Sequence, residues 1–230
     1  MSRRTASAGI ELPFSDKYTA AHAQAYHDKH RGDLRRRLSN LREQQLARRA
    51  LALAGQPEQV LDLPCGAGRF WQTLAEHPAR RIVAADNSRD MLDVAFRNAD
   101  ARLLERISPL HASAFAIGLP DRSVDCVFCM RLLHHVGEAA HRMAMLREFH
   151  RVTRDTLIVS LWVDGNWMAW RRRRQEARRL GRDRERPANR FVLPRERAEA
   201  EFAFAGFDIV DHLDFLPRQS MWRVYVLRRA

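Results

Sequence analysis

The sequence predicts an α/β protein: a doubly wound, mostly parallel seven-stranded sheet with a C-terminal antiparallel hairpin, N-terminal helices and an arginine-rich helical lid. Three observations carry this. Short apolar runs alternate with helical patterns from residue 59 to 163, and such alternation gives parallel strands covered by helices on both faces. The last two apolar runs, "FDIVDHLDFLP" and "MWRVYVLRR", have no helix between them. A link of about four residues requires an antiparallel pair. Just before them the charge concentrates: residues 171–197 hold twelve arginines against four acids, while the whole chain carries a formal +12.

The elements follow in order, within one expected domain over 1–230. Residues 1–56 form an N-terminal helical segment. Its helix is expected over 15–54, with Leu34, Leu38, Leu41, Leu46, Ala50 and Leu53 as an apolar stripe, ended by Gly55 and Pro57. Residues 57–163 form the core. "QVLDL" is a strand and "GRFWQTLAEH" a helix. "RIVAAD" is a strand, followed by a helix through "SRDMLDVAFRNADARLLER" with Ser88 as its N-cap. "SPLHAS" is a short strand. "SVDCVFCM" and "TLIVSLWV" are buried strands on either side of a helix through "EAAHRMAMLREFHRVT". Residues 164–205 are a basic helical insertion, and 206–230 the terminal strands.

Several classes are excluded on composition. No run of 18 apolar residues exists, so no transmembrane helix is expected. The opening "MSRRTASAGIELPF" has two arginines and no apolar h-region, which argues against a secretory signal and for a cytoplasmic protein. Cys65, Cys126 and Cys129 are too few and odd in number for a disulfide framework. Cys126 and Cys129 form a C-x-x-C, but within a strand they face opposite sides; they read as buried small hydrophobes. His141 and His150, nine residues apart, lack a ligand spacing and are expected on the surface. No metal is expected.

The first strand-to-helix turn is Asp62-Leu63-Pro64-Cys65-Gly66-Ala67-Gly68. Gly66 and Gly68 let the backbone approach a ligand closely, and the following helix offers free N–H groups and a positive dipole end. The second strand ends at Asp86, where a carboxylate can accept both hydroxyls of a ribose. The competing reading of the glycines is a tight turn with a helix cap.

These segments resemble the class I S-adenosylmethionine-dependent methyltransferases, in particular the ubiquinone-biosynthesis-like group that acts on small or lipidic molecules. "VLDLPCGAGRF" is similar to their first motif, "VAADNSRDML" to their second, and "SAFAIGLPDRSVDCVFCMRLLHHV" to their third and fourth. The resemblance covers residues 58–163 and, in outline, the closing antiparallel strands. It implies a Rossmann-like methyltransferase fold with S-adenosylmethionine as cofactor. By position, Asp62 would organise the methionine amino group. The loop Cys65, Gly66, Ala67 and Gly68 would pass beneath the methionine and ribose. Asp86 would bind the ribose, and Asn87 and Met91 would flank the adenine. Met130 and Arg131 would line the methionine end. Many relatives carry an acid for the adenine amino group where this chain has Ser113, followed by Ala114. A serine accepts a hydrogen bond more weakly than a carboxylate.

Methyl transfer from a sulfonium needs mainly alignment. A hydroxyl or acidic-carbon acceptor also needs a base, and His134 or His135 after the fourth strand is the candidate; the other reading of the pair is a junction with one packed and one exposed ring. Tyr18 and Tyr26 would close over the cofactor, or pack. The chain lacks the N/D-P-P-Y-like segment of base amino-methylating enzymes, and its cysteines are badly placed for C5 chemistry. Its only lysines, Lys17 and Lys29, cannot build a ribose-methylating Lys-Asp-Lys-Glu set. The insertion sets Trp162, Trp167 and Trp170 beside "RRRRQEARR", with Trp167, Trp170 and Arg171 as substrate-facing candidates. Such a segment suits an anionic membrane surface or RNA, or is simply a solvated helix. The expected acceptor is a small or lipid-like, acidic molecule, methylated on oxygen or carbon. RNA-directed methylation and a non-catalytic binding module are the alternatives.

Overall fold

The computed structural model describes residues 34–179 and 190–230. In chain order its elements are α1 (Leu34–Leu53), β1 (Gln59–Asp62), α2 (Trp71–Leu74), β2 (Arg81–Asp86), α3 (Arg89–Asn98), α4 (Ala101–Leu104) and β3 (Ile107–His111). There follow β4 (Val124–Cys129), a 3₁₀ turn (Leu133–His135), α5 (Ala139–Val152), β5 (Thr153–Trp162), α6 (Trp167–Arg179), α7 (Arg195–Phe204), β6 (Phe207–Asp214) and β7 (Trp222–Arg229). All seven strands join one sheet in the order β3-β2-β1-β4-β5-β7-β6. The first five run parallel, and β7 lies antiparallel between β5 and β6. The predicted mostly parallel sheet with an antiparallel closing pair is therefore the observed one.

Both faces of the sheet are covered, which is why its central strands are apolar throughout. On one face Leu61, Val127, Cys129, Leu157 and Val159 pack under α5 and α7 through Leu146, Phe149 and Phe202. On the other, Val60, Cys126, Phe128, Ile158 and Val226 pack under α1, α2 and α3 through Leu46, Leu51, Trp71 and Leu92. Cys126 and Cys129 thus sit on opposite faces, both buried as free thiols. Burial pushes the Cys126 thiol up to about 12 and the Cys129 thiol upward too, so neither is nucleophilic.

The structure departs from the sequence reading at five places. Leu38 and Leu41 stand exposed, and the buried line of α1 runs instead through Glu43, Leu46, Ala47, Ala50 and Leu51. Only the C-terminal part of α1 lies on the core, and Glu43 can join that line because two arginines neutralise it. The helix after β1 is a single turn beginning at Trp71, since residues 66–70 are occupied by turns. The helix after β2 is broken at Ala99, which is extended; Asp100 caps the next turn through a bond from the Arg102 N–H. Ser88 is the N-cap of α3, its hydroxyl accepting from the Met91 N–H at 3.3 Å. The hairpin link spans residues 215–221, longer than read, because the chain turns through Leu216–Ser220 after Phe215 N–H bonds Trp222 O. His141 and His150 are half-buried rather than on the surface; the His150 ring stands edge-on to Phe207 at 5.2 Å.

Candidate functional site

The carboxyl ends of β1, β2 and β4 open onto one cleft. Its walls include Leu63, Pro64, Cys65, Gly66 and Ala67 from the first turn, Asp86–Ser88 after β2, Met91 on α3, Ala112–Phe115 after β3, and Met130–Leu132 with His135 after β4. Arg69 and Phe70 complete it. This is where ligands bind in open parallel sheets.

Pro64 is accommodated because its neighbours do the donating. The Leu63 N–H bonds Phe128 O at 3.0 Å on β4, and the Cys65 N–H bonds Ala85 O at 2.8 Å on β2. The loop therefore stays clamped between two strands with no donor at position 64. Asp86 tightens it further: its carboxylate accepts the Gly66 and Ser88 N–H groups, both at 2.9 Å. Burial raises the Asp86 pKa, and these backbone bonds pull against that rise.

Gly66 and Gly68 both have positive φ, +55° and +73°. A Cβ on Gly66 would meet only the Met91 methyl at 3.6 Å, leaving the cleft side open. Gly68 does not line the cleft; its Cβ would lie 2.8 Å from the Trp71 ring. Its glycine requirement comes from packing and backbone. Gly68→Ala is expected to cost about 2 kcal/mol through left-handed strain and that overlap, read as a lowered midpoint in urea unfolding.

Asp62 lies at the end of β1, 1% exposed, and both carboxylate oxygens lack a hydrogen-bond partner. Burial, and then the charge of Asp86, holds its carboxyl well above the usual range. The nearby Trp71 indole favours the charged form, yet its N–H does not reach bonding geometry. A second orphan stands close in sequence. Arg69 bonds Asn40 and pairs with Glu43 at 3.1 Å, while its Nη1 is buried and unpartnered. Glu43, 4% exposed, also receives Arg131 at 3.0 Å, so one buried carboxylate on α1 positions two cleft arginines. Arg131 has φ +67° and donates its N–H to Ser160 Oγ, while its guanidinium lies over Trp222 at 5.1 Å. A non-glycine residue in that conformation is strained, and such strain collects at functional sites.

The two histidines divide. His135 lines the cleft. His134 does not; it is buried, stacked on Trp162 at 4.8 Å and edge-on to Trp222 at 5.0 Å. Burial and the neighbouring cations hold it neutral, its pKa driven down to about 2. A ring that cannot take up a proton at ordinary pH is a poor base. Cys65 lines the cleft, but burial and the two nearby aspartates keep its thiol protonated.

The cleft therefore gathers Cys65, Gly66, Ala67, Asp86, Asn87, Met91, Ser113, Ala114, Met130, Arg131 and His135. Asp62 and His134 sit behind its wall. Trp167, Trp170 and Arg171 are exposed on α6, outside the lining. Tyr18 and Tyr26 lie outside the described residues. Sequence reasoning missed Arg69, Phe70, Phe115 and Leu132. Arg69 directly follows the glycine turn, and that adjacency was the available signal.

Residues 60–156 match the family of methyltransferase domains. A demethylmenaquinone methyltransferase of Thermus thermophilus is 41% identical over 78 residues, 34% of this chain and 35% of its own length. The chain spans about a third of the length of the curated relatives it matches. Among solved structures, magnesium protoporphyrin IX methyltransferase from Synechocystis PCC 6803 with bound SAH superposes with TM-score 0.73 at 17% identity, covering 94% of this chain and 97% of the other. A SAM-dependent methyltransferase from Aquifex aeolicus gives TM-score 0.63 at 17% identity, covering 93% and 100%. The chain therefore shares the fold of these solved methyltransferases, antiparallel closing pair included, and residues 60–156, less than half of its length, carry the match to the methyltransferase-domain family.

Proposed function

We propose that the cleft binds S-adenosylmethionine and that the protein passes its methyl group to a small, acidic or lipid-like acceptor by direct displacement. The observation that carries this reading is Asp62, a buried carboxylate with no partner behind a glycine turn. Such a group calls for a cation. The ammonium of the cofactor's methionine end is one, and the free Nη1 of Arg69 suits the carboxylate beside it. After accepting two backbone N–H groups, Asp86 still has lone pairs for ribose hydroxyls. Asn87, Met91, Ser113 and Ala114 would bound the adenine, and Met130 and Arg131 the methionine end.

When bound, the cofactor supplies an electrophilic methyl on a good, neutral leaving group. The chain then contributes alignment and exclusion of water. His135, at the cleft, is the base for a hydroxyl or acidic-carbon acceptor. The 41% identity to a demethylmenaquinone methyltransferase supports a small-molecule acceptor.

This reading fixes the sign of a pH dependence. The Asp62 carboxyl is raised in the free protein, and an ammonium partner would lower it again. Cofactor affinity should therefore rise with pH between the bound and free values and level off above them, with a proton released on binding. Calorimetry in buffers of different ionisation enthalpy reads that proton, and Asp62→Asn should abolish it. A wild-type affinity flat across this range would remove Asp62 from the site.

A further inference from the structure

We infer that the outward face of α6 is a docking surface for an anionic lipid bilayer. The face is built by spacing. Trp167, Trp170, Arg171 and Arg174 fall at i, i+3, i+4 and i+7, one stripe of a helix. Arg171 lies over the Trp167 ring at 5.4 Å, and Arg174 over Trp170 at 4.8 Å. The indoles remain 54% and 53% exposed. The inward face is occupied by other partners. Ala169 is buried and Arg172, half-buried, lies over Trp162 and pairs with Glu176, while the exposed Arg173 is tied to Asp164. Among the described side chains of α6, the arginines stacked on its exposed tryptophans are Arg171 and Arg174.

This stripe is fixed to the fold. Asn166 caps the helix through the Ala169 N–H at 2.9 Å. The Trp167 and Met168 N–H groups bond Arg218 O and Gln219 O in the β6–β7 link. That link presents Leu216, and α6 presents Met168, both exposed. β6 runs parallel to β5, so the link stands at the same end of the sheet as the cleft. The result is four exposed apolar side chains, with arginines on the two indoles, at the cleft end of the sheet. Tryptophan and arginine at such a surface suit the headgroup layer, where indole sits at the interface and guanidinium meets phosphate. No helix among the described residues is long and apolar enough to cross a membrane, so the contact would be peripheral. Two features favour lipid over RNA: each indole already carries an arginine on one face, and Met168 and Leu216 add apolar surface rather than stacking planes.

The test uses the full chain without cofactor or acceptor, so it stands apart from the methyl-transfer reading. Vesicles of phosphatidylcholine with about a third phosphatidylglycerol should sediment the protein, and pure phosphatidylcholine vesicles should not. Brominated lipid should quench indole emission. Trp167→Ser/Trp170→Ser and, separately, Arg171→Gln/Arg174→Gln should each weaken partitioning by about tenfold or more, with the thermal midpoint unchanged. The inference is overturned if neutral and anionic vesicles bind alike, or if both variants bind as wild type. It is also overturned if a single-stranded RNA, and not the vesicles, is bound at the same salt and lost in the variants.

Discussion

Asp86→Ala is expected to weaken S-adenosylmethionine binding by about 10²–10⁴-fold. A buried carboxylate that bonds two ribose hydroxyls contributes about 1.5–3 kcal/mol per charge-assisted bond, and each 1.4 kcal/mol is tenfold in affinity. The substitution also orphans the Gly66 and Ser88 N–H groups that Asp86 holds at 2.9 Å. Asp86→Asn separates these effects, since the amide oxygen retains one backbone acceptor while the charge is lost; its affinity should fall between the two. Equilibrium titration of each variant with the cofactor is the check. Unchanged affinity in Asp86→Ala would move the ribose away from the end of β2.

Glu201→Leu is expected to destabilise the fold by about 3–5 kcal/mol, because it strands a buried guanidinium. Arg142, 2% exposed, meets Glu201 through two bonds of 2.7 and 2.6 Å and donates also to Val136 O and Gly137 O. Those carbonyls follow His135 directly, and Phe191 packs on Gly137, so the pair shapes the chain leaving the cleft wall. The double variant Arg142→Met/Glu201→Leu should cost clearly less than the two single variants added together, since neither charge is then left alone. Urea unfolding of the four proteins measures the coupling. Strict additivity would mean that the pair does not act as a unit.

What the sequence made legible was whatever is written in local periodicity. β1, β2, β4 and β5 announce themselves as apolar runs, and Ser88 and the opposed cysteines follow from capping and strand geometry. The cleft residues of the first turn and of the β2 end were legible because one loop and one strand tip carry them. Long-range pairing was not legible. Glu43 reads as a surface residue of a helix, yet Arg69 and Arg131, 26 and 88 positions away, make it a buried anchor. Leu38 and Leu41 read as core because periodicity does not reveal how much of a helix rests on the sheet. His134 and His135 are adjacent in sequence and opposite in fate, since only the packing of Trp162 and Trp222 decides which ring is enclosed.

The most direct test of the central claim is calorimetric titration of the wild-type chain with S-adenosylmethionine and with S-adenosylhomocysteine. The account predicts saturable one-to-one binding of both, lost together in Asp86→Ala. Absence of binding up to about 1 mM cofactor, weaker than roughly 4 kcal/mol of association, would contradict it.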